Sequence, residues 1–401
     1  MCFRMLRASR ISSLAASASE RSSERFAGSS IAAPDRPRTR PGKSDFDEPA
    51  GRICYMLAQR GGIGMVRKLG CGCGALLVLL VVAAAALWIW KPWTQMVPLE
   101  MVEPDEQVGS RIDTGDVLGN YYPARGAING PGVLVIGGSE GGLGDEMSRL
   151  SRALQNDGFS VLHLSYWRAP GQPERLEGIP LETFQRGLAL LRAQPEVDPS
   201  RTAMMGWSRG SEATQLVAIR DPSLKAIVLG MPGNAVWPGF SWEAPWEQYG
   251  SAWTWRGEAL PYLDMSEVRM FGRDSDAINR DLMELHEQQP DAVIPIEEVG
   301  APVLIICGEA DSVWQSCPVA RKIEERAKAE GKEDVRLLAY MDAGHFAYGA
   351  PVSTVRSSRS WTGWAGRPRA MPTPCAKATA KSCASSAMRW GMGPDGPARA
   401  S

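Results

Sequence analysis

Between residues 132 and 340, short apolar runs alternate with amphipathic stretches. The runs are Gly132–Gly137 (GVLVIG), Phe159–Tyr166 (FSVLHLSY), Arg201–Gly206, Leu224–Gly230 (LKAIVLG), Pro302–Cys307 (PVLIIC) and Val335–Tyr340. Their length and continuity predict strands, most of them buried on both faces. Helical spacing predicts helices over Gly144–Asp157 (Met147, Leu150, Leu154) and Leu181–Gln194 (Phe184, Leu188, Leu191), with further helices over Arg209–Arg220 and Ser316–Gly331. Strand alternating with helix predicts a mainly parallel sheet covered by helices on both faces, in an α/β domain spanning about 131–351. Met231–Val299 interrupts the rhythm and is too long for an ordinary connector. It contains Trp237, Trp242, Trp246, Trp253 and Trp255. Two readings stand side by side. It is a lid whose tryptophans, Trp237, Trp242 and Trp246 among them, line an apolar pocket, or it is an excursion whose tryptophans pack on the domain.

The flanks have a different pattern. Leu69–Trp90 is apolar and carries no charge. At about 1.5 Å per residue it reaches roughly 33 Å, enough to cross a bilayer core. Arg67 and Lys68 precede it, and Trp88, Trp90 and Trp93 fit an interfacial belt. The expectation is one transmembrane helix with a cytoplasmic N-terminus and the remainder extracytoplasmic. Secretion after cleavage near Ala83–Ala86 is the alternative. Residues 1–64 are rich in Arg, Ser, Ala and Gly and read as a disordered leader, or as sequence upstream of a true start at Met65. Residues 94–130 read as a polar connector. Residues 352–401 lose all periodicity and read as disordered. With GC-rich codons and a two-nucleotide shift of frame, that stretch can instead end in a helix, VLRFLRDAL, which suggests a shifted reading frame.

Charge adds little. With 44 basic and 45 acidic residues the net charge is −1, so nothing points to nucleic acid or to an acidic polymer. Of eight cysteines only Cys307 and Cys317 lie in the α/β region. Their spacing suggests neither zinc nor a disulfide framework, and Cys307 at a strand end reads as a buried, inert thiol. No metal and no cofactor are implied.

The chemistry sits at strand ends. Gly206-Trp207-Ser208-Arg209-Gly210 fits G-x-S-x-G between a strand and a helix, the sharp turn that presents a nucleophilic Ser above a sheet. The chain has three histidines. His163 lies within a strand and reads as a core residue, and His286 lies in a charged helical stretch and reads as solvated. His345, in Asp-Ala-Gly-His-Phe just past the last strand, is the candidate base. The preceding loop, Gly308-Glu309-Ala310-Asp311-Ser312, offers Asp311 as the acid, with Glu309 as fallback, and Asp342 reads as a turn residue. Oxyanion donors are expected from the backbone of Arg209 and from the glycine-rich loop at 137–142, at Ser139 and Gly138. This is the constellation of a serine hydrolase of the α/β-hydrolase fold.

GGSEGGLGDEMSRLSRALQNDGFSVLHLSYW, GWSRGSEA, GEADSVWQS and DAGHF, in this order, resemble the C-terminal catalytic domain of the acyl-CoA thioester hydrolases and bile acid-CoA:amino acid N-acyltransferases. The resemblance covers about Gly132–Pro351. It implies a triad of Ser208, Asp311 and His345. In that family the nucleophile is Ser in hydrolases and Cys in the N-acyltransferase, so Ser208 points to hydrolysis of an acyl thioester. The family's animal members also carry an N-terminal β-sandwich, for which residues 94–130 are too short. The alternatives are a carboxylesterase or dienelactone-hydrolase-like esterase, an N-acyltransferase, and an inactive membrane-anchored binding module on a hydrolase scaffold.

Overall fold

The computed structural model describes residues 76–91, 94, 97–126, 128–266, 268 and 275–346. The leader at 1–64, the possible start at Met65, the first part of the apolar run (69–75) and the tail at 352–401 with its frame-shift reading lie outside the described residues. The chain divides into Met1–Leu79 and Leu80–Ser401. Residues 76–90 are helical (α1) and exposed throughout. Among the described residues no helix is long and apolar enough to cross a membrane.

The rest is built on one eight-stranded sheet. Its strands are β1 (Ser110–Asp113), β2 (Leu118–Tyr122), β3 (Gly130–Ile136), β4 (Ser160–Ser165), β6 (Val197–Trp207), β7 (Ala226–Gly230), β10 (Val303–Gly308) and β11 (Val335–Tyr340). Their spatial order is β1-β2-β4-β3-β6-β7-β10-β11. Pairing is parallel from β4 to β11. The helices are α2 (Asp145–Asn156), α3 (Glu182–Arg192), α4 (Arg209–Arg220), α5 (Ser275–Gln288) and α6 (Ser316–Ala329). The central strands are buried along almost their whole length because helices cover both faces, as their unbroken apolar runs require. This is an α/β-hydrolase-like fold. The chain order reverses direction across the sheet between β3 and β6, and open α/β sheets bind ligands beside the carboxyl ends of strands at such a point.

Residues 94–130 differ from the expected connector. They contain an antiparallel hairpin, β1–β2, whose second strand pairs antiparallel with β4 and so widens the sheet by two strands. The hairpin buries Val117, Tyr121 and Tyr122 in the core together with one polar residue. Asn120 is fully buried, donates to the Val102 carbonyl at 2.7 Å and accepts from Arg111 Nε at 2.7 Å. Paired buried amides of this kind satisfy a core position that a hydropathy pattern scores as loop.

Within the insertion after β7 the tryptophans differ in their surroundings. Trp253 opens β8 (Trp253–Trp255), which pairs with the short β5 (Ile179–Pro180) and with β9 (Glu258–Ala259) in a second, three-stranded sheet. Its ring is fully buried between Tyr166 and Phe184, with centroids 5.8 and 5.9 Å away. Trp253 is therefore core. Trp246 is 48% exposed and lies against Trp88 at 6.3 Å, beside the Lys91–Glu243 ion pair.

His286, expected on a solvated face, is buried, because Leu282, Leu285 and His286 share the inward face of α5. His163 is buried inside β4, with Nδ1 3.4 Å from Ser148 Oγ. Burial pushes His163 down to about 3 and His286 down to about 4, the latter with help from Lys322. An unfolded imidazole titrates near 6.5. Between about pH 6.5 and about pH 4 the unfolded chain therefore binds protons that the folded chain refuses. Stability falls as the pH falls through that window, by about 1.4 kcal/mol per pH unit for each histidine. Urea unfolding at about pH 7 and about pH 5 is expected to show this loss, with a shallower slope for His163→Gln; equal slopes would refute the assignment to His163.

Candidate active site

Ser208 stands between β6 and α4 with φ 53° and ψ −122°, a conformation that L residues rarely adopt. The surrounding backbone holds it there. The Ser208 N–H donates to the Gly230 carbonyl of the neighbouring β7 at 2.8 Å. A Cβ on Gly206 would lie 2.1 Å from the Gly210 carbonyl oxygen, so only glycine lets strand and helix pass this close. Gly138, at the end of β3, has the same constraint from the other side. Its Cβ would lie 2.8 Å from Ser208 Cβ and 3.3 Å from the Arg209 nitrogen. The glycine-rich loop and the turn that carries Ser208 thus face one small space.

His345 and Asp311 complete the cluster. His345 Nε2 lies 2.9 Å from Ser208 Oγ, and His345 Nδ1 lies 2.9 Å from Asp311 Oδ2. The His345 and Asp311 side chains are almost fully buried. Asp311 Oδ1 accepts the backbone N–H groups of Val313 at 3.0 Å and Trp314 at 3.3 Å, which fixes the plane of the carboxylate. The ring of Trp314 meets the imidazole edge to face at 5.3 Å. Trp207 Nε1 donates to the His345 carbonyl at 3.2 Å and so ties the turn before Ser208 to the loop after β11. Glu309, the fallback acid, points away and pairs with Arg321.

The three candidate oxyanion donors differ. Gly138 N–H is taken by Glu140 Oε1 at 2.9 Å. The N–H groups of Arg209 and Ser139 have no partner among the described residues. Four side chains hold the loop by its carbonyls. Tyr166 Oη donates to Gly137 and Gly138, Trp167 Nε1 to Gly138 at 3.1 Å, Trp242 Nε1 to Ser139 at 2.6 Å, and Arg168 to Glu140 at 3.0 Å. Because the peptide unit is planar and trans, a carbonyl pinned on one side turns the next N–H to the other. Tyr166, Trp167 and Arg168 were not anticipated as site residues. Their only signal is position, directly after the strand that neighbours β3.

Of the tryptophans proposed to line a pocket, Trp242 reaches this loop. Trp237 packs on Trp314 at 5.3 Å, one ring away from His345. Trp246 is not brought to the cluster. Beside Trp314 lies a small apolar hollow lined by Pro232, Trp237, Leu282, Met283, His286 and Val319.

The helix behind Ser208 carries a buried ion pair, Arg209 Nε to Glu212 Oε1 at 2.7 Å. Glu212 is fully buried, and burial raises its carboxyl while Arg209 opposes the shift. Its other oxygen accepts Trp253 Nε1 at 2.9 Å and the Trp237 N–H at 3.2 Å. Arg209 donates in turn to the Pro238 carbonyl at 3.0 Å. The separate cluster of Ser208, His345 and Asp311 is an arrangement in which an imidazole can take a proton from a serine hydroxyl while a carboxylate orients it.

Residues 179–360 match the family model described as BAAT / Acyl-CoA thioester hydrolase C terminal. Acyl-coenzyme A thioesterase 6 of Mus musculus is 28% identical over 259 residues, which cover 61% of this chain and 56% of that protein. Acyl-coenzyme A thioesterase 1 of Homo sapiens is 25% identical over 271 residues, covering 65% and 60%. The chain thus spans little more than half the length of these curated relatives. A dienelactone hydrolase-like promiscuous phosphotriesterase from metagenomic libraries superposes with a TM-score of 0.41 and 18% identity, over 69% of this chain and 93% of that one. The fold assignment rests on the strand order and not on that superposition.

Glu212→Ala leaves the Arg209 guanidinium buried without a counter-charge, at a cost of about 3–5 kcal/mol. The expected outcome is a large drop in the urea midpoint; an unchanged midpoint would show that the ion pair contributes nothing.

Proposed function

We propose, for a chain whose residues 179–360 belong to the BAAT / acyl-CoA thioester hydrolase C-terminal family, that Ser208 hydrolyses acyl thioesters with His345 as base and Asp311 as its orienting acid. The observation that carries this reading is the unbroken relay, Ser208 Oγ to His345 Nε2 and His345 Nδ1 to Asp311 Oδ2, each 2.9 Å, on a strained strand-to-helix turn. In this mechanism Ser208 Oγ attacks the thioester carbonyl and His345 Nε2 takes its proton. Asp311 accepts Nδ1–H, which fixes the tautomer and stabilises the imidazolium. The oxyanion is met by the N–H groups of Arg209 and Ser139, supported by the N-terminal end of α4. Collapse expels the thiol, which leaves with the proton from His345, and Ser208 is acylated. A water deprotonated by His345 then releases the carboxylic acid and frees Ser208. The donor preference for thioester over simple ester rests on the family alone. A Ser nucleophile favours water over an amine acceptor as the second substrate.

The chain is further proposed to be held at a membrane by the run 69–90, with the hydrolase domain on the oxidising side. Supporting this are the exposed Leu76–Leu80, Leu87, Trp88, Ile89 and Trp90 on α1. A disulfide between Cys307 and Cys317 also supports it, since such bonds persist outside the reducing cytosol.

A fluorophosphonate probe is expected to label the full-length chain at Ser208 and to leave Ser208→Ala unlabelled. Ser208→Ala and His345→Ala should each lose about 10⁴-fold or more in kcat, and Asp311→Asn about 10⁴-fold. Labelling that persists in Ser208→Ala would end the proposal. Side-by-side turnover of a long-chain acyl-CoA and an aryl ester decides between a thioesterase and an esterase.

A further inference from the structure

Cys307 and Cys317 are not the inert thiol and bystander expected from their spacing. Their sulfurs are bonded, their Cα atoms are 5.0 Å apart, and both side chains are fully buried. Cys307 lies near the end of β10 and Cys317 at the start of α6. The bond therefore closes a loop whose interior, residues 308–316, carries two of the groups that touch the imidazole. Those are Asp311, hydrogen-bonded to His345 Nδ1, and Trp314, edge to face with the ring. Glu309, Ala310, Ser312 and Val313, at the tip of the loop, are exposed and lie outside any helix or strand. The loop's other anchors include the N–H of Glu309 on the Tyr340 carbonyl, the N–H of Ala310 on the Ala343 carbonyl, Trp314 Nε1 on the Met231 carbonyl and the ion pair of Glu309 with Arg321.

We infer that the Cys307–Cys317 disulfide is a positioning element for the active site, a staple that holds Asp311 and Trp314 against His345. The inference rests on the proposed role of His345 as base. A short closed loop has few conformations, so the bond narrows the range over which the Asp311 carboxylate can leave its 2.9 Å contact. The bond forms when two thiols give two electrons and two protons to a protein disulfide oxidant, which is left as a dithiol. Neither cysteine touches substrate, so the effect passes entirely through His345.

The test uses the full-length chain, oxidised, and the paired variant Cys307→Ala/Cys317→Ala. Peptide mapping after alkylation without reductant should recover Cys307 and Cys317 as one linked peptide; both alkylated in active protein would overturn the inference. The paired variant should lose about ten- to a hundredfold in kcat with KM within about twofold, since small misplacement of a catalytic group acts on the chemical step. In an Asp311→Asn background the same pair should cost less than about twofold, because the contact it protects is already gone. An equal loss in both backgrounds would mean a general effect on stability and would overturn the role. If the alanine pair does not fold, wild type held under a phosphine reductant takes its place. A downfield proton resonance from the hydrogen bond between His345 Nδ1 and Asp311 provides a readout that needs no turnover. It should be present in the oxidised chain and broadened or lost in the reduced one; an identical signal in both overturns the inference. If the fluorophosphonate labels Ser208 in neither form, the hydrolase reading fails by itself and the proton signal still decides the staple.

Discussion

The site depends on how closely four backbone segments approach one another around Ser208. A side chain at Gly206 would collide with the Gly210 carbonyl, one at Gly210 with the Gly137 carbonyl, and one at Gly230 with the Trp207 ring, all at 2.2 Å or less. At those spacings β3, β6, β7 and α4 share one junction, and the only path left for Ser208 is a strained one. The strain persists because the junction is over-determined. Trp207, wedged on Gly230, also holds the carbonyl of His345. The residue before Ser208 therefore sets the position of the His345 backbone, and Ser208 and His345 come from a single packing unit.

Strand order does the rest. β3 and β6 are neighbours, so the glycine-rich loop and the Ser208 turn meet without an intervening element. β10 and β11 are neighbours, so the loop with Asp311 and the loop with His345 leave the sheet side by side. β7 is the only strand between these two pairs, and it ends in Gly230, whose missing side chain makes room for Trp207. Aromatic and guanidinium donors from the segment after β4 then fix the loop after β3, because β4 lies on its far side.

What was legible in the sequence follows from this layout. Runs such as GVLVIG and PVLIIC gave strands within a residue or two, because a strand buried on both faces leaves an unbroken apolar signature. Ser208, Asp311 and His345 could be proposed because each follows a strand in a fixed chain order. The hairpin at 110–122 could not, since SRID and LGNYY are short and interrupted by polar residues, with Asn120 buried only because Arg111 and the Val102 carbonyl satisfy its amide. His286 was placed on a solvated face because its neighbours in sequence are charged, whereas its neighbours on the helix face, Leu282 and Leu285, are buried. The Cys307–Cys317 bond joins a strand end to a helix start, and the Tyr166-Trp167-Arg168 clamp joins two loops. Both are facts of three-dimensional neighbourhood with no local pattern to announce them.

Arg209 joins two parts of the molecule that are far apart in sequence. Its backbone nitrogen lies against Gly138, where a Cβ would come within 3.3 Å, and its guanidinium, paired with Glu212, donates to the carbonyl of Pro238 in the insertion. Glu212 in turn holds Trp253 and the backbone of Trp237. The insertion is thus tied to the first turn of α4, directly after Ser208. Lifting the insertion as a whole would break the hydrogen bonds of Pro238, Trp237 and Trp253 to this buried pair and leave its charges less well satisfied. The Trp314 ring thus both lines the apolar hollow and meets His345 edge to face, which joins the packing under the insertion to the Ser208–His345–Asp311 cluster.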